Sequence, residues 1–146
     1  MTAPHEGALR AARAEDGTAI AALLTAEGYP AGASDIVERL RAFDDGRSAV
    51  LVATAQGEVV GFVAVHVMPR FEHGDRIARI LALVVDEGVR ERGFGHELMI
   101  AAEQHARDQG CAFIEVTAGH HRPAARVLYE SIGYEPGVAV YLRKRV

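Results

Sequence analysis

Residues 80–85 read Ile-Leu-Ala-Leu-Val-Val, and within ten positions they are followed by the turn Arg90-Glu91-Arg92-Gly93-Phe94-Gly95. A strand that is apolar at both parities is buried on both faces, so this segment predicts a central strand of a sheet covered on two sides. The stretch after the turn, residues 95–109, places Leu98, Met99, Ala102 and Ala106 on one stripe and stops at Gly110, which predicts an amphipathic helix with a glycine stop. A buried strand feeding an amphipathic helix through a glycine turn requires helices packed on a sheet.

The remaining elements fit around that unit. Residues 8–13 form a short segment of ambiguous type. Residues 15–27 carry Ile20, Leu23 and Leu24 at helical spacing and stop at Gly28-Tyr29-Pro30. Ser34 or Asp35 can cap a second helix bearing Ile36, Val37, Leu40 and Phe43. Residues 48–55 and 58–68 are rich in β-branched side chains and predict two antiparallel strands joined by Gln56-Gly57, with Gly61 marking a weak point or bulge. Residues 76–85 give the third of these strands, 112–117 another, 123–131 a short helix and 138–143 a last strand. The order β-α-α-β-β-β-α-β-α-β predicts an α/β (α+β) fold: one domain spanning residues 1–146, with a mixed, mostly antiparallel sheet and about four helices.

Composition removes several classes. The chain has 146 residues, without a repeat or low-complexity stretch, and its single thiol, Cys111, cannot form an internal disulfide. That pattern suits a reducing cytoplasm. No apolar run reaches the ~18 residues of a membrane span, and the first residues lack the basic and apolar regions of a signal peptide. Sixteen basic against twenty acidic residues give a net charge of −4, a poor match for nucleic acid, and the terminal Arg143-Lys144-Arg145 is too short a run to change that.

The turn carries the chemistry. Its helix starts with no Ser, Thr, Asp or Asn immediately before it, so the first-turn N–H groups have no obvious side-chain partner. Gly93 and Gly95 remove the Cβ atoms that would hold an anion away from the backbone. The helix dipole and Arg90 and Arg92 add positive potential. These are the requirements of a pyrophosphate site, although two glycines can also simply shape a tight turn. A dinucleotide-binding reading fails because the third glycine is replaced by Leu98, and a P-loop fails because no Gly-Lys-Ser/Thr occurs.

The turn resembles the signature of the GCN5-related N-acetyltransferases (GNAT): Gln or Arg, two residues, Gly, one residue, then Gly or Ala. The resemblance covers nearly the whole chain. It implies that the turn binds the pyrophosphate of acetyl-CoA, with Val84 and Val85 along the pantetheine arm and Arg90, Arg92, Gly93, Phe94, Gly95 and His96 around the phosphates. The segment from Ala125 to Tyr134 resembles the family's Ala-x-x-x-Tyr-x-x-x-Gly-Phe/Tyr pattern, which implies Tyr129 as general acid toward the departing thiolate; a phenol of pKa ≈ 10 suits that task. Gly28-Tyr29-Pro30 and the capped helix after it are similar to aminoglycoside 6′-N-acetyltransferases, a small-molecule branch.

Two departures stand out. Arg122 occupies the position of a family asparagine, and Arg79-Ile80-Leu81-Ala82 lacks the strand carboxylate that many relatives use as a base. The base is then sought among Glu72, His73, Asp75, His66, Glu115 and His120. No histidine spacing predicts a metal site, and nothing suggests an acyl-enzyme on Cys111. The expectation is acetyl transfer to a primary amine by direct attack in a ternary complex, in a monomer or homodimer, with no nucleic-acid or membrane partner. Acids on the first two helices and the loop of residues 69–76 (Glu27, Tyr29 beside them, Asp35, Glu38, Glu72, His73, Asp75) point to a small cationic acceptor. A protein or peptide amine, a catalytically silent acyl-CoA-binding module and a nucleotide-binding regulator are the alternatives.

Overall fold

Alternating β-branched residues need a hydrogen-bonded neighbour before they become strands, and pairing is what the computed structural model of this chain defines. It describes residues 7–118 and 122–146. Five strands, β1 (Gly7–Ala11), β2 (Ala49–Ala55), β3 (Glu58–Pro69), β4 (Arg76–Val85) and β5 (Cys111–Val116), lie in the order β1-β2-β3-β4-β5. The first three pairings are antiparallel and β4·β5 is parallel. The helices are α1 (Gly17–Ala26), α2 (Ala33–Ala42), α3 (Phe94–Asp108) and α4 (Pro123–Ser131). Two compact units result, Met1–Val116 and Thr117–Val146.

In the first unit, Ile20, Leu23 and Ile36 of α1 and α2 pack on Val52, Phe62 and Val84 from one face of the sheet. On the opposite face α3 buries Leu98, Met99, Ala102 and Ala106, the stripe expected from the sequence. Gly61 sits beneath α3. A Cβ there would lie 3.0 Å from the Val84 carbonyl oxygen and 3.2 Å from Leu98 Cδ1, so glycine lets helix and strand approach. The β2·β3 register shifts beside it, with Ala53 opposite Gly61 but Thr54 opposite Val59, which is the expected bulge.

Three expectations need correction. Neither Ser34 nor Asp35 is the N-cap of α2; Gly32 is, and Asp35 reaches back so that its Oδ2 accepts the Gly32 N–H at 2.9 Å. β3, not β4, is the middle strand, and Leu81 of β4 is 55% exposed. The reason is a second bulge: Ala64 pairs with Ala82 and Val65 with Ile80, leaving Leu81 unpaired and turned out. Residues 138–143 form no strand. Val138, Val140, Tyr141 and Leu142 are exposed, and no backbone ladder reaches them among the described residues. High β-propensity without a pairing edge leaves a segment irregular.

Among the described residues, one charged side chain is buried. Asp16, 5% exposed, accepts two hydrogen bonds from Arg10 (2.7 and 2.9 Å) and one from the Arg13 N–H (2.7 Å), so the chain's entry into α1 is tied to β1. The Arg10 guanidinium holds the Asp16 carboxyl below its ordinary range. A depressed carboxyl pKa stabilises the fold at pH values above the unfolded value of about 3.9, and that contribution is lost as pH falls through the lower folded value. Asp16→Ala is expected to cost about 2 kcal/mol at pH 7, since Arg10 remains partly solvated, and the difference should shrink below about pH 4. Urea unfolding at pH 7 and pH 3 checks both; an equal difference at the two pH values would contradict the ion-pair origin.

Candidate active site

The β4·β5 ladder begins at Arg76↔Cys111 and stops at Ile80↔Val116. Beyond it, residues 81–85 keep β3 on one side and have no strand on the other among the described residues. Alternate backbone N–H and C=O groups along such an edge face outward and accept an extended, amide-bearing ligand. The Leu81 bulge stands at the mouth of that opening.

At the end of β4 the chain turns. Asp86 Oδ1 accepts the Gly88 N–H at 2.8 Å, a single 3-10 turn follows over Glu87–Val89, and Gly93 takes φ +90° as the N-cap of α3. No side chain caps this helix. Its first bond into the helix runs from the Glu97 N–H to the Gly93 carbonyl at 3.0 Å, so the amides of Gly95 and His96 ahead of it have no acceptor within the helix. A fifteen-residue helix thus aims its positive end past two glycines. Arg92 and His96 are exposed beside it, while Phe94, assigned to the phosphate group by the sequence, buries its ring completely and has only its backbone to offer a ligand.

Arg90 is already engaged. Its Nη2 donates to Glu27 Oε1 at 2.5 Å and its Nε to the Val85 carbonyl at 3.4 Å. Both partners line a cavity of about 520 Å³ walled by Leu23 and Ala26 of α1 and by Val84 and Val85 of β4, with Asp86 and Glu87 at its rim. Nothing in the sequence pairs Glu27 with a residue 63 positions away, so there it is one acid among several.

Of the proposed bases only Glu115, on β5 one pair before the ladder ends, stands beside the opening along β4. Glu72, His73 and Asp75 lie in the β3–β4 loop, at the far end of β4 from the turn, about 30 Å along a strand of ten residues. Asp75 is held by two hydrogen bonds from Arg70 (2.7 and 2.6 Å), which lower its pKa, the wrong direction for a base. Glu115 accepts from Arg79 at 2.7 Å. The Nδ1 of His66 contacts Ser48 Oγ at 3.0 Å, and that hydroxyl donates to Asp45 Oδ2 at 2.8 Å. Asp45 is pulled down to about 2, chiefly by the N–H groups of Ser48 and Arg47, so this cluster is a loop clamp. His120 lies outside the described residues. Cys111 starts β5 at the same far end as the loop, and burial pushes its thiol above the ordinary value, away from a nucleophilic thiolate.

In the second unit, Pro123 opens α4 after Arg122, whose side chain gives no capping bond. Tyr129 is buried, its ring 6.0 Å from that of Tyr134, and burial pushes its phenol up, with Arg122 pulling weakly the other way. Among the described residues no three metal-ligating side chains come together, and no helix is long and apolar enough to cross a membrane.

Comparison with known proteins adds the following. The model of the acetyltransferase (GNAT) family matches residues 10–134. The uncharacterized N-acetyltransferase YhfO of Bacillus subtilis is 32% identical over 135 residues, 87% of this chain and 89% of that protein. The aminoalkylphosphonate N-acetyltransferase of Salmonella typhimurium is 32% identical over 103 residues, 65% of this chain and 67% of that one. In fold, the chain is similar to a transcriptional regulator from Bacillus halodurans C-125, with a TM-score of 0.84 at 22% identity over 97% of this chain and 100% of the other.

Proposed function

The chain belongs to the GNAT family and is an acyltransferase that moves an acetyl group to an amine; from that premise we propose that its donor is acetyl-CoA, its acceptor a small cationic amine, and its route direct attack within a ternary complex. The observation that carries this is the sheet opening: β4 loses its β5 partner at Ile80 and runs, one edge free, straight into an uncapped helix N-terminus. Along that path the backbone of Val84 and Val85 bonds the pantetheine arm, and the pyrophosphate is received by Arg90, Arg92 and the backbone of Gly93, Phe94, Gly95 and His96. The amine nitrogen attacks the thioester carbonyl; the N–C bond forms, the C–S bond breaks, and the thiolate takes its proton from the Tyr129 hydroxyl. The nitrogen's proton passes to water: of the described base candidates only Glu115, on β5 one pair before the ladder ends, stands next to the opening, and its carboxylate is engaged by Arg79. The chain works as one catalytic domain.

The rim of the cavity supports the acceptor class. Glu27, Asp86 and Glu87 outnumber Arg90, and the walls are alanine, leucine and valine, so an ammonium group on a short apolar body fits. The Salmonella relative, named for a small amine substrate, also supports a small acceptor over a protein. Thiol release from acetyl-CoA, measured with polyamines, aminoglycosides, amino acids and peptides at low and high salt, tests the reading. The expected best acceptor is a small polycation whose KM rises with salt. CoA binding without turnover on any amine would favour a silent acyl-CoA-binding module, a rival that the missing acid in residues 79–82 makes specific.

A further inference from the structure

The parallel ladder ends in a charged row. Arg79 of β4 pairs with Glu115 of β5 one pair before the two strands part, and its Nη2 donates to Glu115 Oε1 at 2.7 Å. The side chains are 39% and 45% exposed. Glu115 Oε2 accepts no hydrogen bond among the described residues, and Arg70, which also feels the Glu115 charge, is bonded twice to Asp75. An ionised carboxylate can take donors on both oxygens, so half of its acceptor capacity stands unused at the edge of the opening. A donor whose pyrophosphate sits at the turn and whose pantetheine runs back along Val85 and Val84 brings its thioester toward Leu81. Two residues of strand, roughly 7 Å, separate that level from the Arg79–Glu115 row. Leu81, 55% exposed, offers an apolar surface there.

The nitrogen that attacks a thioester is neutral, so a carboxylate set back from it serves the acceptor through a second, charged nitrogen. We propose that Glu115 determines acceptor specificity: its Oε2 holds the ammonium at the far end of a diamine whose other nitrogen attacks, with a four-carbon chain bridging the gap over Leu81. The inference rests on the acetyl-CoA and cationic-amine reading above and names the acceptor class within it, a short α,ω-diamine or the aminobutyl end of a longer polyamine. Glu27, Asp86 and Glu87, at the other end of this stretch of β4, add attraction for a cation at longer range. Arg79 stays in place and tempers the affinity, because it competes for the same negative charge.

Butylamine, putrescine and 4-aminobutanoate share one four-carbon chain and differ in the charge at its far end, so ratios of kcat/KM among them read this site. The wild type should prefer putrescine to butylamine. Glu115→Gln is expected to lower the putrescine-to-butylamine ratio about two- to fivefold, the range of a partly exposed ion pair. By leaving Arg79 uncovered, it should also raise the 4-aminobutanoate-to-butylamine ratio. Arg79→Gln should move both ratios the opposite way, which keeps the test alive if the first variant is unstable. A general base at position 115 would instead cut kcat for all three amines alike, and a merely structural ion pair would leave both ratios at their wild-type values. Either result overturns the proposal, as does a wild type that acetylates amines without preferring putrescine to butylamine. Wild-type protein that acetylates no amine at all refutes the underlying function instead.

Discussion

Valine in place of Gly93 is expected to lower CoA affinity by about 10²- to 10⁴-fold while the protein stays folded. Two effects add. Gly93 sits at φ +90°, a region that a β-branched residue enters only at a cost of ~1–3 kcal/mol, so the backbone at the start of α3 must shift and re-aim the Gly95 and His96 amides. A Cβ at this position meets no protein atom within 4 Å, so it projects into open space, which under the proposed function the phosphate enters. Losing two charge-assisted bonds at ~1.5–3 kcal/mol each sets the range. Gly46→Val is the matched control: φ is +80°, the space around it is equally open, and it lies in the loop after α2, away from the turn. It should lose a similar amount of stability and keep its CoA affinity. Calorimetry giving Gly93→Val the wild-type affinity would remove the phosphate assignment.

What could be read from the sequence is what local chemistry decides. Gln56-Gly57 between two β-branched runs reads as a hairpin turn, and the structure closes it with both residues at positive φ, +52° and +79°. The Leu98-Met99-Ala102-Ala106 stripe could serve only a helix packed on a sheet. The uncapped start of α3 was legible because it is an absence of particular residue types at particular positions. What remained hidden depends on partners far away in the chain. Leu81 looks like any apolar strand residue until the β3 register shows it bulged out. Residues 138–143 have the composition of a strand, but composition supplies no edge to pair with. Glu72, His73 and Asp75 are titratable residues of the loop before β4, and the ten residues of that strand separate them from the turn at its other end. Glu27 and Arg90 meet through the packing of α1 against β4, which no periodicity encodes.

Tyr129→Phe is expected to reduce turnover by about 10²- to 10⁴-fold, the usual contribution of general acid catalysis, while CoA affinity changes little because the ring remains. The side chain's setting favours that role. Burial raises the phenol's pKa, so at neutral pH the group carries the proton that a departing thiolate needs. The same shift fixes the pH dependence. A phenol whose folded pKa lies above its unfolded value of about 10 remains a proton donor throughout the neutral range, and the alkaline limb of the kcat profile should fall only above that value. Stability should decline over the same alkaline range, because the unfolded chain releases this proton first. In Tyr129→Phe the limb should vanish along with the rate. Single-turnover thiol release at saturating acetyl-CoA and amine, followed from pH 6 to pH 11, separates the alternatives. A variant that turns over at the wild-type rate where chemistry limits would mean the thiolate leaves unassisted, and an unchanged alkaline limb would assign that titration to the amine instead.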